Sequence, residues 1–222
     1  MVKVYKYPIT IIIAILCIII TFYAWIHDTN FIINEYGYST NNLLEGKLWV
    51  LITSIFLHSD LNHLVLNLIA LIVFGIILEE EIGSRRVLLL FLGGAFVGAF
   101  LSSLFYSPNI PSIGASAGIF SIMAATLLIK PVRIESYLPI PIGVIALGYI
   151  LTTIWGLITG YPPQVSHVGH IGGAFVGLFY GFKVRGSRSS LRIIIAVFLI
   201  FLFAPFIWNF WVLVLNFVEN LL

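Results

Sequence analysis

Four side chains in this sequence are of the types that move protons or hold developing negative charge: Ser116, His170, His63 and Asn67. A serine hydroxyl is a weak nucleophile until a base removes its proton, and histidine is the side chain best poised to do so near neutral pH. Acyl transfer then needs N–H donors for the oxyanion of the tetrahedral intermediate. Ser116 sits in Ile113-Gly114-Ala115-Ser116-Ala117-Gly118-Ile119-Phe120, where small neighbours leave its hydroxyl uncrowded and let another backbone approach. Taken alone that stretch means little, because a serine in a membrane helix usually bonds the carbonyl four residues back. His63 and Asn67 are four apart and share a helix face. His170 shares a face with Gly173 and Gly177, and His167 lies one turn before it. No carboxylate is placed to orient the histidine, since Asp60 precedes its span and is expected to be solvated. The pattern therefore reads as a Ser116–His170 dyad, with His63, Asn67 and the Ser116 backbone N–H as oxyanion donors. No Cys/His cluster has metal-ligand spacing, so neither a metal nor another cofactor is expected.

These residues must be positioned by membrane helices. Of 222 residues, 60% are hydrophobic and 9% charged, and the mean hydropathy is +1.10. Ordinary soluble domains carry about 25% charged residues. The composition excludes a soluble fold and predicts an all-α polytopic transmembrane bundle, one membrane-embedded domain over residues 1–222. Basic residues are too sparse for a nucleic-acid surface. Cys17 stands alone in an apolar run and reads as packing. With about 20 apolar residues per span, seven spans are expected: Pro8–Ile26, Leu61–Leu78, Val87–Tyr106, Ile113–Ile129, Pro139–Ile158, Val168–Phe182 and Ile193–Phe217. The first reads as a retained anchor, being too long for a signal-peptide core. His27 to Lys47 reads as a mixed loop. Leu48 to Leu57 reads as an interfacial piece anchored by Trp49.

Alternate connections collect Lys3, Lys6, Arg85, Arg86, Lys130, Arg133, Lys183, Arg185, Arg188 and Arg192 on one side and Lys47 alone on the other. Positive charge favours the cytoplasm, which predicts a cytoplasmic N-terminus and an outside C-terminus. The second, fourth and sixth spans then enter from the outer face. His63, Asn67, Ser116 and His170 fall about a turn or two below it, and polar groups at such depth need partners or a function. Gly169, Gly173, Gly177 and Gly181 form a small stripe along the sixth span, and Gly114 and Gly118 offer the same spacing on the fourth. Close packing of those two helices would aim His170 at Ser116. His167 is expected in the wet interface, and His58 as a cap. Phe120, one turn below Ser116, reads either as a stacking partner for the imidazole or as core. Glu79 to Glu81 with Arg85 and Arg86 read as a cytoplasmic helix end and its salt links. Tyr161-Pro162-Pro163 reads as a stiff turn above the site.

Three separate motifs resemble one family. F-L-H-S-D-L-N-H-L-V-L-N followed by E-E-E-I-G-S, G-A-S-A-G-I-F, and H-I-G-G-A-F-V-G are similar to the second-helix, nucleophile and histidine motifs of rhomboid intramembrane serine proteases. The resemblance covers about Trp49 to Gly181. It implies a six-helix core, about residues 48–184, with the span at 193–217 as a C-terminal addition. It implies Ser116 as nucleophile, His170 as general base, and His63 and Asn67 at the oxyanion site. The implied function is a serine endopeptidase that cuts transmembrane protein substrates near the outer face of a lipid bilayer, expected to be a prokaryotic cell membrane. The competing reading is a non-catalytic relative that binds client transmembrane helices, and a small transporter is a third. Two positions depart from the family pattern: Ala117 stands where a glycine usually follows the serine, and Trp49-Val50 replaces a Trp-Arg pair.

Overall fold

The computed structural model describes residues 7–135, 140–200 and 202–203. They form a helical bundle, and no strand occurs among the described residues, although Tyr38 and Ser112 form an isolated bridge. The long helices are α1 (Pro8–Ile26), α5 (Leu61–Ile82), α6 (Ser84–Phe105), α7 (Ser116–Ile129), α8 (Ile142–Thr159) and α9 (His167–Arg185). Short helices α2 (Thr29–Tyr36), α3 (Thr40–Leu44) and α4 (Val50–Phe56) fill the expected loop and interfacial segment between α1 and α5. Residues 187–200 are helical and cover the start of the expected seventh span, whose end lies outside the described residues, as do Lys3 and Lys6.

Local chemistry explains most boundaries. Pro8 opens α1, where its missing N–H costs nothing. Asp60 caps α5 by accepting the His63 N–H at 2.9 Å, and Ser166 caps α9 by accepting the Gly169 N–H at 3.2 Å. Gly160 ends α8 in the left-handed conformation. The Ser166 cap starts α9 one residue before Val168, and the helix runs on to Arg185, so the sixth span is longer than its hydropathy suggests.

Helix α7 is the centre. Every residue from Gly118 to Ile129 is buried, the mark of a helix that is apolar on all faces because other helices surround it. It packs against α9, α6, α5 and α8. Among the described residues, four helices (α1, α5, α6 and α8) are long and apolar enough to cross a membrane by length and composition. The 14 residues of α7 rise about 21 Å, short of a hydrocarbon core of about 30 Å.

The glycine stripe of α9 packs on α7 as expected, but against different residues. A Cβ on Gly173 would lie 1.9 Å from the Ala117 carbonyl oxygen, and one on Gly177 would lie 2.0 Å from that of Ser121. Gly118 faces Phe91 of α6 instead, and Gly114 precedes the helix. The small residues that α7 offers to α9 are thus Ala117, Ser121 and Ala124.

The acidic end of α5 also departs from expectation. Glu79 is buried and closes the start of α1, accepting the Ile9 N–H at 3.0 Å, the Thr10 N–H at 2.9 Å and the Thr10 hydroxyl at 2.6 Å. Glu81 pairs with Lys130 at 2.7 Å and Glu80 with Arg133 at 3.2 Å, whereas Arg86 donates to the Ile82 carbonyl. The links therefore run from α5 to the turn after α7 and not to Arg85 and Arg86. At the same end, Arg185 of α9 donates to the Ile129 carbonyl of α7 at 2.6 Å.

Candidate active site

Ser116 is the first residue of α7, not a residue one turn inside it. The helix starts late because Gly114 holds a φ of +112°, a conformation open to glycine and strained for other residues. The preceding loop is pinned from several sides. Tyr38 and Ser112 exchange backbone hydrogen bonds, the Gly114 N–H donates to the Ser54 carbonyl at 2.9 Å, and the Ala115 N–H donates to His58 Nε2 at 3.4 Å. As the first residue of a helix, Ser116 has a backbone N–H without an intrahelical partner.

His58 is a buried link and not a cap. Its Nε2 accepts from Ala115, so the ring proton is on Nδ1 and is donated to Thr21 Oγ1 at 3.0 Å, which in turn donates to the Phe56 carbonyl at 3.0 Å. This relay ties the nucleophile loop to α1. Burial, with His63 as second cause, lowers the His58 pKa to about 3, so the ring stays neutral.

His170 Nε2 lies 2.8 Å from Ser116 Oγ. The close α7–α9 packing allowed by Gly173 brings the two residues together. Phe120 is both of the things its position suggested: it is buried in the core, and its ring stacks on His170 at 4.3 Å with 11° between the planes. On the other ring nitrogen, His170 Nδ1 lies 3.4 Å from Thr153 Oγ1 of α8. Nothing in the apolar run around Thr153 singles it out in the sequence, except that it is a polar group within a span.

His63 reaches the same loop. A Cβ on Gly114 would lie 2.7 Å from His63 Nε2, so the ring rests over the glycine two residues before Ser116. Its other nitrogen, Nδ1, faces Ser59 Oγ at 3.2 Å. Asn67 is buried and spends one amide N–H on the His63 carbonyl at 2.8 Å. The second N–H of that group remains for another acceptor.

His167 is shielded from water rather than wet as expected. It is buried over Gly156 of α8, where a Cβ would come within 2.2 Å of the ring, and its ring meets that of His170 edge-on at 6.4 Å. Neither of its nitrogens has a hydrogen-bond partner among the described residues. Tyr161, in the turn before α9, is exposed. Ala117 also has a physical place: its methyl sits where a Cβ on Gly98 of α6 would be 2.7 Å away, so the missing side chain at Gly98 accommodates it.

A hydroxyl bonded to an imidazole, the imidazole held by an aromatic face, and donors converging on the adjoining loop make an arrangement suited to acyl transfer. Comparison with known proteins agrees in kind. A family model described as Rhomboid domain matches residues 45–187. RHOMBOID-like protein 6, mitochondrial, of Arabidopsis thaliana is 35% identical over 145 residues, 65% of this chain and 46% of that protein. RHOMBOID-like protein 1 of the same plant is 35% identical over 136 residues, 61% of this chain and 34% of that protein. Rhomboid protease GluP of Bacillus subtilis (strain 168) is 32% identical over 178 residues, 78% of this chain and 34% of that protein. The matched stretches thus span less than half the length of these relatives.

Proposed function

The chain belongs to the rhomboid family, and we propose that it is an active intramembrane serine endopeptidase that cleaves transmembrane protein substrates with Ser116 as nucleophile and His170 as base. It is an integral membrane protein, and the general work of its family is proteolysis within the membrane, with serine proteases such as GluP among its members. The observation that carries the specific reading is the 2.8 Å contact between His170 Nε2 and Ser116 Oγ, with Phe120 stacked on the imidazole.

The mechanism follows from that geometry. His170 takes the hydroxyl proton as Ser116 Oγ attacks the scissile carbonyl. The Ser116 N–H, the free Asn67 N–H and His63 receive the oxyanion. The proton then passes to the leaving nitrogen as the peptide bond breaks, and water releases the acyl group by the same steps. A peptide carbonyl inside a helix is already bonded and covered, so the substrate must unwind locally before attack. Helix α7 begins at Ser116 and has only 14 residues, so the nucleophile stands at the end of a short helix. On the charge asymmetry, the N-terminus faces the cytoplasm, the C-terminus lies outside, and cutting occurs near the outer face of a cell membrane. The whole chain forms a single membrane-embedded domain.

Labelling by a serine-reactive fluorophosphonate tests this reading. The purified protein is expected to label and to cleave a model transmembrane helix, and Ser116→Ala and His170→Ala are each expected to do neither while remaining folded. A folded wild-type protein that neither labels nor cleaves would overturn this reading and leave the client-binding alternative to be tested by capture of a transmembrane helix.

A further inference from the structure

Among the described residues no carboxylate bonds His170 to orient it. A neutral imidazole carries one proton. To accept from the Ser116 hydroxyl, Nε2 must be bare, so the proton must be on Nδ1, and a buried N–H needs an acceptor. Among the described residues the atom that meets this need is Thr153 Oγ1, at 3.4 Å. Thr153 is buried, and its hydroxyl has no other hydrogen-bond partner among the described residues. The neighbouring Thr152 shows the ordinary alternative, since its hydroxyl donates back to the Tyr149 carbonyl.

The placement is built into the packing of α8 against α9. Three residues further along α8, Gly156 meets His167, three residues earlier on α9. The pairs 153–170 and 156–167 are successive turns of one antiparallel contact, in which the missing Cβ at Gly156 admits the His167 ring. That close approach brings the Thr153 hydroxyl within reach of Nδ1, although His167 bonds neither residue. We infer that Thr153 is the positioning residue of this site: its hydroxyl accepts the Nδ1–H of His170 and so holds the tautomer and ring orientation in which Nε2 faces Ser116.

The inference rests on the dyad assignment above. During attack the Ser116 proton moves to Nε2 as the Oγ–C bond forms and the carbonyl π pair moves onto oxygen. During breakdown that proton moves to the leaving nitrogen as the C–N bond breaks. Nδ1 keeps its own proton throughout, so Thr153 remains an acceptor and never takes the charge. A hydroxyl acceptor stabilises the imidazolium less than a carboxylate does, which suits a site where an unpaired carboxylate would be costly.

The test uses the full-length protein in detergent, a model transmembrane substrate, the fluorophosphonate, and the variants Thr153→Val and Thr153→Ser. The loss of one hydrogen bond predicts roughly a tenfold fall in kcat for Thr153→Val at little-changed KM, with labelling slowed in proportion. Thr153→Ser keeps the acceptor and is expected within about threefold of wild type. A Thr153→Val kcat within about twofold of wild type overturns the inference, and so does an equal loss in both variants accompanied by the same drop in thermal midpoint, which marks packing. A wild-type protein that labels while Thr153→Val is unimpaired sinks only this inference. A folded wild-type protein that neither labels nor cleaves sinks the dyad and this inference together.

Discussion

At the scale of single residues, two neighbours flank the His170 ring: Phe120 is stacked on its face at 4.3 Å, and Thr153 Oγ1 lies 3.4 Å from Nδ1. Ser116 and His170 were singled out because polar groups on three spans fall at one depth and the glycine stripe would aim the histidine at the fourth span, and the structure sets Nε2 2.8 Å from Oγ. Thr153 was missed because a threonine within an apolar run carries no signature of its partner. His167 was expected to be wet because it precedes the first apolar residue, whereas the Ser166 side chain starts the helix earlier and the ring is buried against Gly156 of α8. His58 has the plainest consequence for pH. Its pKa is held at about 3 in the folded protein by burial and by His63, against about 6.5 when unfolded. Between those values the unfolded chain binds a proton that the folded one does not. Stability is therefore intact above about pH 6.5 and is lost as pH falls toward 3, by at most about 1.4 kcal/mol per pH unit from this residue. Thermal midpoints in detergent should fall across that window, and His58→Asn should flatten the slope. A slope unchanged by the substitution would mean that His58 does not titrate on unfolding.

At the scale of elements, four-residue spacing of glycines announces a close helix contact but not the partner's register. The stripe on α9 was legible. That it would meet the carbonyls of Ala117 and Ser121, with Gly118 turned toward Phe91, depends on how α7 is rotated among its neighbours, and no periodicity marks a helix that is buried all round. The obstacles differ along the stripe. A methyl at 173 or 177 strikes a backbone carbonyl, which cannot swing aside, whereas one at 181 meets the Leu128 side chain, Cδ1 at 2.6 Å and Cβ at 2.8 Å, a milder overlap that a rotamer change relieves in part. Gly173→Ala and Gly177→Ala should each lower stability by about 1–3 kcal/mol or more. Both should also weaken cleavage by separating Ser116 from His170. Gly181→Ala should cost less and leave cleavage nearly intact. Thermal unfolding and turnover of the three variants check the ordering, and a larger loss at 181 would contradict the packing described.

At the scale of the molecule, apolar length identified α1, α5, α6, α7 and α8, while the shorter run of α9 counted as a span because its composition suits burial between helices. The segment from α2 to α4 was less legible, because short helices joined by side-chain caps have no long period. The arrangement across the bilayer yields one more expectation. A reporter inserted between residues 186 and 192 should be accessible from the cytoplasmic side and one at the C-terminus from outside. Both reporters on the same side would show that 193–217 does not cross, and the alternation of positive charge would then need a different count of spans.

The two long-range closures at the ends of α1 and α7 set an order in time. The first turn of α1 is completed by Glu79, 69 residues after Thr10, and the last carbonyl of α7 is met by Arg185, 56 residues after Ile129. A chain made from its N-terminus onward therefore has α1 across the bilayer with an open end until α5 emerges, and α7 with an open end until α9 is complete. In each case the helix that arrives later is rewarded for docking beside the earlier one. The second closure also joins the helix carrying His170 to the one carrying Ser116, so it forms only once those two helices lie side by side.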